Sequence, residues 1–191
     1  MLISFRPLLP ADLPTLAEWQ SRPHVARWWR DPSDLASITA AYEPCLDGRE
    51  PTEVFILEVD GESAGLMQRY LVDDYPAWAA ALGIEDAAGM DYYIGEERMT
   101  GRGIGSQALR RFAEATLDRY PGVALVVADP QQDNEASWRA LENAGFERLW
   151  AGDLETDDPS DEGPAFIYGL TRAEVRGAPG WRPRRPGAPP R

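Results

Sequence analysis

The spacing of apolar residues changes period several times along the chain, and each change marks an element. The alternation in "ISFRP" predicts a short strand near Ile3–Pro7. "LPADLPTLAEWQ" then predicts a helix, with Asp12 placed to cap it and Pro14 in its first turn. "SRPHVARWWRDP" reads as a loop or short helix dense in aromatic rings and arginine, and Ser33-Asp34 opens another helix running to about Tyr42. In "TEVFILEVDGESAGLMQRYLV" two β-rich runs flank Asp60-Gly61, a hairpin turn signal. "DDYPAWAAALGIEDAAG" reads as an irregular insertion. "MDYYIG" predicts a strand, "GRGIGSQALRR" opens a helix to about Arg119, and "VALVVADP" is a continuous apolar strand of the kind buried at the centre of a sheet. Asn134–Asn143 predicts a helix stopped by Gly145, and "FERLWAGD" and "PAFIYGLT" are the last strands. This order is that of a mixed α/β sheet with helices on its faces.

Composition narrows the class. The 191 residues suffice for one domain with a sizeable core, and 43% apolar with 27% charged residues describes a globular chain. No apolar run approaches the roughly 20 residues of a membrane span. The start, "MLISFRPLLPADLP", lacks a basic opening, a long apolar stretch and a small-residue cleavage site, so a cytoplasmic protein without membrane partners is expected. One cysteine, Cys45, excludes an intrachain disulfide, and with a single histidine, His24, no metal site is expected. All 19 basic residues are arginines, and the net charge is −13. Ala173–Arg191 carries five arginines and one glutamate and is rich in Pro and Gly, so a domain over 1–172 followed by a flexible tail is predicted. The body is therefore more acidic than the whole chain. It repels nucleic acid and favours cationic partners, although acidity also serves solubility.

The chemistry concentrates at "GRGIGS". A strand, a GxGxG stretch and a helix in succession expose backbone N–H groups that have no intrahelical partner, where the helix dipole favours an anion. Glycines remove the Cβ atoms that would hold a phosphate away. Ser106 adds a hydroxyl donor and Arg102 a positive charge. A Walker loop would require lysine, which the chain lacks, and a Rossmann site would require GxGxxG in an early βαβ unit. A plain glycine turn is the simpler alternative at this point.

Arg102-Gly103-Ile104-Gly105-Ser106 resembles the acetyl-CoA pyrophosphate loop of the GNAT acyltransferases. "VVADPQQDNEASWRALENAGF" resembles that superfamily's next strand and helix, including Asn134 and the Ala144-Gly145-Phe146 ending. "EWQSRPHVARWW", "DGESAGLMQRY", "GMDYYIG", "ADPQQDN" and "EGPAFIY", in this order, are similar to segments of the aminoglycoside 6′-N-acetyltransferases and their siderophore-acetylating relatives, covering roughly residues 5–172.

The resemblance implies a GNAT fold, a mixed sheet with a V-shaped split between two parallel strands, here "MDYYIG" and "VALVVADP". It implies acetyl-CoA as co-substrate, its pyrophosphate on the amides of residues 102–106 and its thioester carbonyl on backbone donors near Tyr93 and Ile94. Asn134 would bind or orient the pantetheine arm. The acceptor amine attacks directly in a ternary complex and must first lose a proton, because an amine of pKa about 10 is almost wholly protonated at neutrality. Asp91 is favoured as the base and Asp129 as its cation-binding partner, at the tips of the two strands. Taken alone, each would read as a solvated strand end or a turn residue. Many members place a tyrosine seven residues past the Asn134 position to protonate the leaving thiolate; here that residue is Leu141, and solvent, Tyr92, Tyr93 or Tyr168 would have to serve.

An aminoglycoside, a polycationic sugar, calls for carboxylates and flat surfaces. Asp73, Asp74, Glu85, Asp86 and Glu162 supply the first in the predicted cleft loops, beside Asp91 and Asp129; Trp28, Trp29, Tyr70 and Trp78 supply the second, with Gln68 as a polar contact. Core packing is the plain alternative for Trp28 and Trp29, and a structural role is preferred for His24. The implied activity is acetylation of an aminoglycoside amine by a monomer or homodimer, which would make it a resistance enzyme. Siderophore-type or protein N-acylation and a non-catalytic acyl-CoA-binding module remain open, the last because of Leu141.

Overall fold

The computed structural model describes residues 1–84, 86–153 and 163–175. Among these, strands β1 (Ile3–Pro7), β2 (Glu53–Val59), β3 (Glu62–Leu71), β4 (Ala87–Ile94), β5 (Leu125–Ala128), β6 (Glu147–Asp153) and β7 (Pro164–Thr171) form one sheet in the order β1-β2-β3-β4-β5-β7-β6. The helices are α1 (Leu13–Ser21), α2 (Pro23–Trp29), α3 (Leu35–Leu46), α4 (Pro76–Leu82), α5 (Ile104–Arg119), α6 (Glu135–Asn143) and α7 (Arg172–Val175).

The alternation of side chains along each strand sorts the core onto two faces. Leu57, Met67, Met90 and Val126 face α5 and α6, packing on Ile104, Leu109, Phe112 and Leu141. Val54, Ile56, Leu66 and Tyr93 face α1–α3, packing on Leu16, Trp19, Val25, Ile38 and Tyr42. A third cluster, with Leu82 of α4 over Leu125 and Val127, extends the core toward β7. On β4, Asp91 therefore shares the α1–α3 face with Tyr93, while Tyr92 turns to the α5–α6 face.

The split lies between β4 and β5. These strands pair in parallel only at Ala87↔Leu125, Ala88↔Val126 and Gly89↔Val127. Beyond Gly89, β4 stays with β3 as far as Gly65↔Ile94. The chain after β5 instead follows β7: Pro130 C=O accepts the Phe166 N–H at 2.9 Å, and Gln131 bridges Ala165. Each strand is held by its antiparallel neighbour, so the pair must diverge.

Four local expectations change. Asp12 does not cap α1 with its side chain; it takes the Arg6 guanidinium in two hydrogen bonds of 2.7 Å and accepts the Leu9 N–H at 2.9 Å. A bidentate, charge-assisted partner on the neighbouring strand outcompetes a cap. Asp34 does cap α3, accepting the Ala36 and Ser37 N–H groups at 3.1 Å, but that helix continues past Tyr42 to Leu46. The segment read as irregular contains the 3-10 turn Val72–Asp74 and helix α4, opened by Pro76 and closed by Gly83 at φ 60°. Finally, α7 carries the described chain past 172 to Val175, with Glu174 accepting the Thr171 N–H at 2.7 Å, while Arg172 donates to the carbonyls of Leu117, Tyr120 (2.8 Å) and Val123 (3.0 Å) at the end of α5. The rest of the predicted tail lies outside the described residues.

Candidate active site

The glycine stretch forms the start of α5. A 3-10 turn, Glu97–Met99, leads into Gly101 at φ 68° and Gly103 at φ 74°, the residue that caps the helix without a side chain. In this left-handed conformation a Cβ would be strained. Ile104 is buried beneath the helix start, so the turn is anchored from below while Arg102 stays exposed and Ser106 half-buried. The first N–H groups of the 16-residue helix α5 thus face outward from a bare backbone. This cradle suits a pyrophosphate.

Where β4 and β5 diverge lies a cavity of about 450 Å³. Of the residues predicted for the site, Asp91, Asp129, Asn134, Trp28, Trp29, Gln68 and Tyr70 line it together, as does Trp78. Asp74 is exposed on its 3-10 turn and is not among the described lining residues. Glu85 and Glu162 lie outside the described residues. Tyr93 directs its phenol into the α1–α3 core, so only its backbone could serve the cleft.

Hydrogen bonds fix the polar groups. Gln68 on β3 stands opposite Asp91 on β4 and donates its side-chain amide to Asp91 Oδ2 at 2.9 Å. Asn134 Oδ1 accepts the Ser137 N–H at 3.2 Å, capping α6, which is the first role of that side chain. Across the mouth, Arg30 at the end of α2 donates to Gln131 Oε1 at 3.0 Å. His24 donates through Nε2 to the Ile94 carbonyl at 3.0 Å and so holds the end of β4 to α2, a structural task.

The cavity also contains residues that the sequence did not single out: Asp31, Tyr42, Tyr75, Gln131 and Ser137. Tyr70 and Tyr75 meet edge to face at 5.1 Å, and the Tyr75 hydroxyl contacts Thr52 Oγ1 at 2.6 Å and donates to Glu50. Burial, then the Glu50 carboxylate, pushes the Tyr75 phenol above its ordinary range. Desolvation likewise raises Tyr42 and Tyr92, so these phenols remain protonated donors. Cys45, raised by burial, is an inert wall residue. Only Ser137 carried a local signal: it stands three residues after Asn134, on the same side of a helix. The described residues contain no group of three or more His, Cys, Asp or Glu side chains able to hold a metal. No described helix is long and apolar enough to cross a membrane.

A mixed sheet that splits between two parallel strands, a bare helix start and carboxylates in the opening together define the class, an acyltransferase fed by coenzyme A thioesters. Residues 9–154 match the family described as "Acetyltransferase (GNAT) domain", and the chain belongs to that family. It is an acetyltransferase that uses acetyl-CoA as co-substrate.

The aminoglycoside acetyltransferase AAC(6')-Ib, solved with coenzyme A and kanamycin, is 27% identical, with a TM-score of 0.80 over 92% of this chain and 98% of that one. An aminoglycoside N(6')acetyltransferase from Legionella pneumophila subsp. pneumophila str. Philadelphia 1 shares the fold at 17% identity and a TM-score of 0.69, over 92% of this chain and 95% of that one. The lysine N-acyltransferase MbtK of Mycolicibacterium paratuberculosis (strain ATCC BAA-968 / K-10) is 27% identical over 145 residues, 70% of this chain, which spans 60% of that protein's length.

Proposed function

We propose that this enzyme acetylates an amine of a cationic small molecule, and that the 6′-amine of an aminoglycoside is the acceptor the geometry supports best. The observation that carries this reading is the meeting of Asp91 and Asp129 in one cavity at the strand split, which Trp28, Trp29 and Tyr70 also line. Two carboxylates attract an ammonium, and the aromatic faces suit the apolar faces of sugar rings.

The roles follow from position. The amides of Arg102, Gly103, Ile104, Gly105 and Ser106 would hold the pyrophosphate. Backbone donors near Tyr93 and Ile94, on the β4 edge that β5 has left, would hold the thioester carbonyl as its oxygen gains charge. Asn134 would orient the pantetheine arm from the α6 cap. Asp129 holds the acceptor cation, and Asp91, oriented by Gln68, takes the proton the amine must lose. Asp74 and Glu162 remain acceptor contacts only by expectation. The kanamycin-bound relative supports the acceptor class.

A second reading rests on the part of the cavity wall that is apolar or aromatic, with Tyr42, Tyr75, Trp78 and Met90 among its lining residues. Such a wall suits the less cationic acceptors and longer acyl chains of siderophore assembly, in keeping with the lysine N-acyltransferase relative. One experiment separates the two. Purified protein with acetyl-CoA is tested for coenzyme A release over a panel of 2-deoxystreptamine aminoglycosides and, with long-chain acyl-CoA, over lysine and N6-hydroxylysine. Release with kanamycin is expected. No release across the aminoglycoside panel, with acetyl-CoA binding intact, overturns the first reading.

A further inference from the structure

The Tyr92 hydroxyl lies 2.7 Å from Ser137 Oγ, so a hydrogen bond runs from β4 to α6 across the opening between the diverging strands. Both residues line the cavity. Two hydroxyls carry two protons, and the bond between them uses one. Neither hydroxyl has another partner among the described residues, so whichever donates, one O–H remains for a group in the cavity.

The location of this pair matters for the leaving sulfur. Leu141 is fully buried in the core under α6 and has no proton to offer. Ser137 stands one turn before it on the same stripe of the helix. Side chains on a helix lean toward its N-terminus, so a tyrosine at 141 would carry its hydroxyl over the turn that Ser137 occupies. Tyr92 reaches that place from the sheet instead. The other two tyrosines considered for this role are engaged elsewhere: Tyr93 meets the Gln20 amide at 3.4 Å on the opposite face, and Tyr168 donates to Glu142 Oε1 at 2.9 Å.

We propose that Tyr92, accepting the hydrogen bond of the Ser137 hydroxyl and so keeping its own O–H available, is the hydrogen-bond donor to the coenzyme A sulfur as it leaves. The step rests on the reading of Asp91 above. The bound ammonium first passes one proton through the Asp91 carboxylate to solvent; the free amine nitrogen then bonds to the acetyl carbon, and the second proton it sheds as the amide forms passes to Asp91. The C–S bond breaks with its electron pair going to sulfur, and the Tyr92 O–H meets the thiolate charge. Tyr92 keeps its proton. Burial holds its phenol above the ordinary range, far less acidic than a thiol of pKa about 8.5, so the thiolate takes its proton from solvent after release.

The test needs no acceptor, so its failure is distinct from failure of the aminoglycoside reading. The thiol of protein-bound coenzyme A is titrated by the ultraviolet absorbance of its thiolate, in the wild type and in Tyr92→Phe. A charge-assisted hydrogen bond is worth about one unit of pKa or more, so the bound thiol is expected to titrate about one unit higher in the variant. Ser137→Ala, which leaves the Asn134 cap in place, shifts it less and in the same direction. Desulfo-coenzyme A, which lacks the sulfur, should bind wild type and Tyr92→Phe equally. An unchanged thiol pKa in both variants overturns the proposal. So does an equal loss of desulfo-coenzyme A and coenzyme A affinity, which would make Tyr92 a structural residue.

Discussion

Gln68 and Asp91 are direct neighbours across β3 and β4, and the glutamine amide donates to the aspartate at 2.9 Å. The bond pins one carboxylate oxygen of a side chain that lines the cavity. Asp91→Asn is expected to lower kcat about 100-fold or more at neutral pH, the scale of a lost general base, while the Kd for acetyl-CoA stays unchanged. Gln68→Leu should lower kcat by about tenfold with the same Kd, because it frees the base without removing it. Steady-state kinetics with the acceptor found in the panel, beside calorimetric binding of acetyl-CoA, checks both. Unchanged turnover in Asp91→Asn removes Asp91 from the base role.

The two loop glycines should fail in different ways. Gly103 sits at φ 74°, so Gly103→Ala is expected to lower the unfolding free energy by about 1 kcal/mol. A Cβ on Gly105 would meet only the Ala140 Cβ, at 3.7 Å, so Gly105→Ala should leave stability unchanged or slightly raised. The proposed pyrophosphate site needs a bare backbone over residues 102–106, so acetyl-CoA should bind more weakly. Urea unfolding and calorimetry on the two variants distinguish a backbone requirement from a ligand requirement.

Tyr70 lies directly over Gly89, the last residue of β4 to pair with β5. A Cβ there would fall 2.3 Å from the ring. Tyr75 meets the same ring edge to face at 5.1 Å and limits where it can move. Gly89→Ala must therefore displace Tyr70 or the backbone and should cost about 1–3 kcal/mol, the scale of overpacking. In the double variant with Tyr70→Ala the alanine at 89 should cost much less, a coupling that a double-mutant cycle in urea measures directly.

Stability toward acid should depend on Asp12. Its carboxyl is held below the ordinary range, first by hydrogen bonds from Arg6 and then by the Leu9 N–H. A carboxyl whose pKa is lower folded than unfolded stabilises the fold fully above its unfolded value, about 3.9, and loses that contribution as pH falls through the folded value. Asp12→Asn should therefore be destabilising at pH 7, and its difference from wild type should shrink below about pH 4. A difference that stays constant across that range would show the ion pair makes no pH-linked contribution.

Most of what was legible in the sequence depended on local chemistry. The hairpin at Asp60-Gly61, the Asp34 cap, the glycine-opened helix and the buried strand before Asp129 follow from residues close in sequence, and all are present. Helix α4 is not legible in the pattern because seven residues are too few for a helical period to show, although Pro76 and Gly83 bracket it. The role of Asp12 is not legible locally, because its partner, Arg6, reaches it from β1 rather than from the helix it precedes.

The sequence by itself determined that residues 102–106 present bare backbone amides at a helix start and supplied the two carboxylates, since glycines and anionic side chains keep their chemistry wherever they are placed. Only the tertiary structure decided which groups meet. Gln68 orients Asp91 because strand register sets them opposite one another. Arg30 reaches Gln131, 101 residues away in the chain, and Tyr92 reaches Ser137, because the strands diverge after Gly89 and Val127. Those distances depend on the packing of every element between, and no local pattern encodes them.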